Sequence, residues 1–348
     1  MNSKYIIPTI KECNSLEKKF NVISTFSGGG GSCLGYKMAG GQILVANEFI
    51  PEAQDTYRKN FPETKLLTKD IRKLSGQDFL DLAGLKKFEL DIFDGSPPCS
   101  GFSTAGIGSK GWGKVKAYSS TSQRVDDLFF EYIRLLDEIK PKVFIAENVK
   151  GLTQGKARGY FKEIYNLLTS CGYNVKAKVI NSYNYGVPQS RDRLILIGVR
   201  KDLELKPSYP QSQKDKYIVR EALDNIEEGE KVFLYGYSLE KYWKETLVGS
   251  SHPERFSLSR ISPFKPCPTI TQTMGTPKGK VKYAGNLTHW NECRYLTIPE
   301  LKRIQSLPDD FILTGTFSEQ WERIGRMVPP LMMKAVAENI YERILKYV

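Results

Sequence analysis

Over roughly its first 200 residues the chain alternates short β-rich runs with helical patterns, and that alternation constrains the fold more than any other feature. Candidate strands fall at 21–26, 42–47, 65–68, 90–93, 142–146, 175–180 and 194–199. Helical patterns lie between them at 32–39, 51–60, 77–85, 126–139 and 160–170. Within 126–139, Leu128, Tyr132, Leu135, Leu136 and Ile139 recur at helical spacing and can form one apolar face. Strands that alternate with helices predict an α/β fold, a doubly wound, mostly parallel seven-stranded sheet. In such sheets ligands bind beyond the carboxyl ends of the strands, so the residues that carry chemistry should gather there.

From about residue 201 the helices thin out, and Pro207, Pro210, Pro253, Pro263, Pro266, Pro268 and Pro277 punctuate the chain. This predicts a smaller, irregular second domain over 201–321, beside a first domain over 1–200. Pro329 and Pro330 stand at a helix start. A C-terminal helix within 322–348 is expected to pack back on the first domain and complete it.

Fifty-one Lys and Arg against 39 Asp and Glu give a charge of +12, unevenly spread. Residues 255–291 contain Arg255, Arg260, Lys265, Lys278, Lys280 and Lys282 and no acid, interleaved with Phe256, Phe264, Tyr283 and Trp290. A second acid-free stretch, 95–125, carries Lys110, Lys114, Lys116 and Arg124 among six glycines, and reads as a mobile loop rather than an element. Both stretches suit phosphate contacts on a nucleic acid; the alternative is a pair of solvated loops. No apolar run approaches the roughly 20 residues of a membrane span. The N-terminus lacks the layout of a secretory signal, and no two of the six cysteines form a CxxC pair. A reducing cytoplasm is therefore the expected compartment. With two histidines only, no metal site is expected.

Five motifs sit at expected strand ends. Phe26-Ser27-Gly28-Gly29-Gly30-Gly31 follows the first strand and opens a helix, where a ligand can approach the backbone closely. Asn47-Glu48-Phe49 ends the second strand, and an acid there can accept from ribose hydroxyls. Asp70-Ile71 after the third offers one hydrogen bond and one apolar face. Ordinary helix capping is the competing role for Glu48 and Asp70. The fourth strand runs into Asp94-Gly95-Ser96-Pro97-Pro98-Cys99, a stiffened approach to a cysteine that suits a nucleophilic thiol better than a core residue. The fifth ends in Ala146-Glu147-Asn148-Val149. Gln189-Ser190-Arg191-Asp192-Arg193 then places two arginines two residues apart, able to share one face of an extended segment.

Taken in order, these motifs resemble the cytosine 5-methyltransferases that use S-adenosylmethionine. Arg294-Tyr295-Leu296-Thr297 with Glu300, and Gly325 followed by Val328-Pro329, extend the match to nearly the whole chain. The resemblance implies a Rossmann-like class I methyltransferase fold, with 201–321 as target-recognition domain and hinge. It implies Cys99 as the nucleophile that adds to carbon 6 of cytosine, making carbon 5 reactive toward a methyl group. Glu147 matches the acid at the ring nitrogen, Asn148 a residue that holds the loop, and Arg193 the arginine at the base, with Arg191 beside it. Phe26, Gly28, Gly30, Gly31, Glu48, Phe49, Asp70 and Ile71 match cofactor contacts, Pro98 and Leu128 further walls, and Arg326 and Met327 the closing motif. Ser100, Lys110, Lys114, Lys116, Arg255, Arg260, Lys278, Lys280 and Lys282 are the expected DNA contacts.

The implied substrate is a cytosine flipped out of double-stranded DNA, and the spent cofactor is S-adenosylhomocysteine. A monomer is expected, bacterial or phage-encoded, protecting DNA from a separately encoded restriction endonuclease. Two positions depart from the family pattern: Ser100 stands where Gln is usual, and Arg326 where Asn is usual. Methylation of transfer RNA is the runner-up, although its Cys-Phe-Thr triplet is absent. A non-catalytic DNA-binding paralogue is a third reading, and a nicotinamide-dependent dehydrogenase would share only the glycine loop.

Overall fold

The computed structural model describes residues 4–98, 128–235, 238–272 and 286–348, with the backbone of two short strands between 115 and 124. In chain order the strands are β1 (Phe20–Thr25), β2 (Gly41–Asn47), β3 (Lys65–Leu67), β4 (Ile92–Gly95), β5 (Val115–Tyr118) and β6 (Thr121–Arg124). They continue with β7 (Val143–Val149), β8 (Tyr173–Asn181), β9 (Asp192–Arg200), β10 (Ser250–His252), β11 (Arg255–Arg260) and β12 (Leu287–Thr288). The first helices are α1 (Ile10–Ser15), α2 (Gly31–Met38), α3 (Pro51–Asn60), α4 (Gly76–Ala83), α5 (Leu128–Ile139) and α6 (Arg158–Ser170). The later ones are α7 (Val219–Ala222), α8 (Ser238–Glu245), α9 (Ile298–Ile304), α10 (Phe317–Arg326) and α11 (Pro330–Arg343).

Seven strands form the central sheet in the order β3-β2-β1-β4-β7-β9-β8. All neighbours are parallel except that β9 runs against both β7 and β8. The central strands are buried on both faces, which is why Val143-Phe144-Ile145-Ala146 reads as an unbroken apolar run. Alternate residues feed two cores. Val22, Ile145, Ile195 and Ile197 join Leu34, Tyr36, Met333 and Val336 of α2 and α11 on one face. Ile23, Phe93, Phe144 and Leu196 join Phe79 of α4, Leu136 of α5 and Leu168 of α6 on the other. The doubly wound arrangement read from the sequence is the arrangement present.

Some bounds differ, for local reasons. Strand β4 runs on through Asp94-Gly95 and β7 through Glu147-Asn148-Val149, because the neighbouring ladder supplies partners to residues that disfavour strands by propensity. Helix α4 stops at Ala83, before the expected 85, because Gly84 turns left-handed at φ 71°. Strands β5 and β6 pair antiparallel inside a stretch expected to hold no element, their Val, Tyr and Thr favouring extended chain. The 322–348 stretch contains the end of α10, a break at Val328-Pro329 and then α11, because proline cannot continue a helix but can open one.

In the second half, β10 and β11 pair antiparallel and β12 joins β11 in parallel. Leu258, Ile261, Leu287 and Trp243 belong to the same buried cluster as the α2–α11 face, so one core runs through both halves. Buried Arg294 donates to both carboxylate oxygens of Glu300 at 2.8 Å, while Glu300 and Thr297 cap α9 reciprocally. Among the described residues no helix is long and apolar enough to cross a membrane.

The α2–α11 crossing is closest at Gly35, where a Cβ would lie 2.6 Å from both Met333 Cβ and the Pro330 carbonyl oxygen. Gly35→Ala should therefore destabilise the fold by about 1–3 kcal/mol, read as a lower denaturant midpoint. An unchanged midpoint would mean that α11 slides freely on α2.

Candidate active site

The carboxyl edge of the sheet carries two adjoining groups of residues. In the first, the chain leaves β1 through Phe26 at φ 53° and Gly28 at φ 55°, then enters α2 from Gly30 at φ 98°. Glu48, at the end of β2, accepts from Gly28 N–H and Ile50 N–H, both at 2.7 Å. Burial pushes its carboxyl up from the ordinary range, against these backbone donors and the charge of Arg326. Asn47 donates to the carbonyls of Leu67 and Lys69 and so ties the end of β2 to the chain beyond β3.

Three of the four loop glycines are packed against protein. A Cβ would meet the Met327 methyl at Gly29, the Phe61 ring at Gly30, and the Val328 carbonyl at Gly31. At Gly28 it would meet nothing within 4 Å. That open face, rimmed by the Glu48 carboxylate, is space a ligand could occupy. Asp70 caps the turn Ile71–Lys73 through Arg72 N–H and also pairs with the Arg72 guanidinium. Ile71 and Leu128 are buried in one apolar cluster, whereas Phe49 and Pro98 are half-buried. Arg326 forms an ion pair with Glu322 one turn back on α10, and Met327 is buried against the loop.

The second group is organised by β7 and β9. Glu147 is buried, with Oε1 2.7 Å from Arg193 Nε. Burial pushes the Arg193 guanidinium down from its usual range, and the Glu147 charge opposes this. Asn148 donates from Nδ2 to the Pro97 carbonyl at 3.1 Å, while its Oδ1 accepts from Val149 N–H. The carboxyl-bearing strand end is thereby fastened to the chain just before Cys99.

Arg191 is buried near the pair but turned to a different task. Its terminal nitrogens donate to the carbonyls of Ile270, at 2.9 Å, and Gly325, at 2.8 Å. Around it, Gln189 accepts from Ile270 N–H and donates to Gln305, which donates to the Met327 carbonyl. Trp321 donates to the Thr271 carbonyl. Arg191 thus binds the backbone of the second half and of α10.

Among the basic residues, Arg255 is exposed, its guanidinium 5.0 Å from the centre of the Tyr242 ring. Arg260 lies 3.9 Å from the centre of the Trp243 ring and donates to the carbonyls of Trp290 and Thr246. Cys99, Ser100, Lys110, Lys114, Lys278, Lys280 and Lys282 lie outside the described residues, as does the side chain of Lys116. Sequence reading gave no role to Asp94, whose buried carboxylate accepts from Ser24 and Tyr36, both at 2.8 Å. The available signal was an acid and a serine at the ends of otherwise apolar strands.

The sequence profile of the C-5 cytosine-specific DNA methylases matches residues 20–342. The chain belongs to that family. Type II methyltransferase M1.HphI of Haemophilus parahaemolyticus is 32% identical over 353 residues, covering 97% of this chain and 89% of the relative. Type II methyltransferase M.NgoPII of Neisseria gonorrhoeae is 31% identical over 346 residues, covering 92% and 94%. Among solved structures, a prophage-encoded E. coli protein described as a DNA modification methyltransferase is similar with a TM-score of 0.72 at 22% identity, over 94% of this chain and 99% of that one. A Dnmt2 methyltransferase of S. pombe gives 0.64 at 18% identity, over 94% and 99%. As a family member this C-5 cytosine methylase transfers methyl groups to carbon 5 of cytosine in DNA, and the family implies S-adenosylmethionine as donor.

Replacing Arg191 in this methylase by Met should cost about 2–4 kcal/mol of stability, because two buried carbonyls lose their donors. Urea unfolding would measure it, and wild-type stability would sink the view of Arg191 as a clamp between the halves.

Proposed function

We propose that this methylase flips a cytosine out of a specific duplex DNA sequence and methylates it through a covalent adduct with Cys99. The observation that carries the reading is the Glu147–Arg193 pair, beside which Asn148 binds the carbonyl of Pro97, two residues before Cys99 in the sequence. The Gly28 face and Glu48 would hold S-adenosylmethionine, with Phe26, Phe49, Asp70, Ile71, Pro98 and Leu128 around it and Met327 behind the loop. The cofactor supplies an electrophilic methyl group.

The residues divide the remaining work. The Cys99 thiolate adds to carbon 6, and Glu147 gives a proton to the ring nitrogen, so that electron density builds at carbon 5. Arg193 orients Glu147 and faces the base. After transfer, water takes the carbon 5 proton, the thiolate leaves carbon 6, and the ring nitrogen returns its proton to Glu147. Residues 201–321 read the target sequence, and Arg191, through the Ile270 carbonyl, fixes the segment around residue 270 to the catalytic half. The basic positions Arg255, Lys278, Lys280 and Lys282, with Ser100, Lys110, Lys114 and Lys116, meet DNA. Arg260, with its donors on backbone, shapes that surface. We place the protein in the cytoplasm as a monomer, paired with a separately encoded restriction endonuclease.

The test is methyl transfer from labelled S-adenosylmethionine to unmethylated genomic DNA and, separately, to bulk transfer RNA, with products identified as nucleosides. We expect 5-methylcytosine in DNA alone. Cys99→Ser should lower transfer by more than about a thousandfold while retaining S-adenosylhomocysteine binding. Label in RNA only, or normal turnover by that variant, would overturn the proposal.

A further inference from the structure

Asp94 is a buried carboxyl that the steps above leave unused, and its partners lie on both sides of the glycine loop. Its two oxygens accept from the Ser24 hydroxyl near the end of β1 and from the Tyr36 hydroxyl of α2, both at 2.8 Å. Residues 26–30, the loop itself, join those two elements. Strand register sets Ser24 directly opposite Asp94, so the first bond crosses the sheet and the second reaches the helix packed on it. The loop closes the circuit. Ser27 donates from its hydroxyl to the Ser24 carbonyl and hydroxyl, each at 3.1 Å, and its own carbonyl accepts from Gly30 N–H at 2.9 Å, where α2 begins. Hydrogen bonds thus run from Asp94 through Ser24 and Ser27 to Gly30, and α2 returns the path to Asp94 at Tyr36.

That circuit frames Gly28, the loop glycine with open space beside it, whose N–H donates to Glu48. The loop's shape is therefore set from two directions. Met327, Phe61 and Val328 crowd Gly29, Gly30 and Gly31 from behind, and Asp94 ties the loop's two ends together. We propose that Asp94 is a positioning residue for this loop, bracing the strand end and the helix on either side of the cofactor site. It acts through Ser24 and Tyr36. The inference rests on the reading of the loop as the cradle for S-adenosylmethionine.

The brace depends on the charge of the carboxyl. Ionised, Asp94 accepts from both hydroxyls. Protonated, it has a hydrogen of its own to place, so one of the two hydroxyls must turn away and the circuit opens. Burial holds the carboxyl up at about 7 against the two hydroxyl donors, with Glu147 of β7 adding to the rise. Cys33 and Tyr36 of α2 and Tyr132 of α5 are the other titratable groups coupled to it among the described residues. The complete brace is accordingly present above that value and is lost as pH falls through it.

The test is calorimetric binding of S-adenosylhomocysteine to the full chain between about pH 5.5 and about pH 8.5. Asp94→Asn keeps the shape and carries one acceptor and one donor group, so it stands in for the protonated carboxyl at every pH. It should bind about fivefold more weakly than wild type at about pH 8.5, the ratio closing to about one at about pH 5.5. Burial raises the Glu48 carboxyl as well, so the quantity read is the ratio of the two proteins at each pH. Tyr36→Phe, which removes one donor and keeps the aromatic ring, should show a smaller deficit with the same pH dependence. Should Asp94→Asn not fold, the Tyr36→Phe profile decides alone. A deficit equal at all pH values, one that grows toward low pH, or none at all would overturn the proposal. Glu48→Gln separates the two claims: wild-type affinity there removes the cradle reading and this inference with it. Weakened binding by Glu48→Gln beside a flat Asp94→Asn ratio removes only the inference.

Discussion

The ion pair between Glu147 and Arg193 depends on a single reversal in the sheet. Glu147 stands near the end of β7, where a doubly wound sheet gathers its functional groups. Arg193 stands at the start of β9, and in a parallel sheet that start would lie at the opposite edge. Because β9 runs against β7, Val149 faces Arg193 and Glu147 faces Ile195, and the two charges meet. Burial makes such a pair expensive in desolvation, so its value lies in geometry more than in stability. The same reversal delivers Gln189 and Arg191, which immediately precede β9, to that edge.

From there the second half is attached. Arg191 and Gln189 reach the backbone of 270, while Gln305, Gly325 and Met327 complete the junction from the chain's last third. Gly325 has no room for a side chain, since a Cβ would lie 2.7 Å from the backbone of Thr271 and Gln272. A polar junction made of buried side chains on backbone carbonyls fixes orientation without depending on which residues 268–271 present outward. The shared apolar core beneath supplies the adhesion.

The strand–helix alternation in the sequence was enough to place every strand of the central sheet, because central strands and amphipathic helices write their burial directly into apolar periodicity. Strand ends were less legible. Asp94, Gly95 and Asn148 disfavour strands by propensity, and only the neighbouring ladder keeps them extended. The motif residues Glu147 and Arg193 could be listed from the sequence, but their contact required the antiparallel register. Arg191 and Arg193 look equivalent in Gln-Ser-Arg-Asp-Arg. One binds a carboxylate and the other two backbone carbonyls, a difference set by residues about 80 and 130 positions away. Asp94 escaped notice because a single acid at a strand end has no spacing to betray it.

The glycine loop shows how far the site depends on distant chain. Gly29 and Gly31 are compelled by Met327 and Val328, whose atoms lie 2.1 and 2.4 Å from where a Cβ would be. The loop is thus closed from behind by residues almost 300 positions later in the sequence. Its open face at Gly28 takes its final shape only when α10 and α11 are docked. Contacts of such long range are entropically costly and form late in folding. A ligand that binds the closed loop therefore binds only the fully folded chain, and its affinity adds to the stability of the whole molecule rather than of one lobe. The cradle and the core that carries it are in this sense a single cooperative unit.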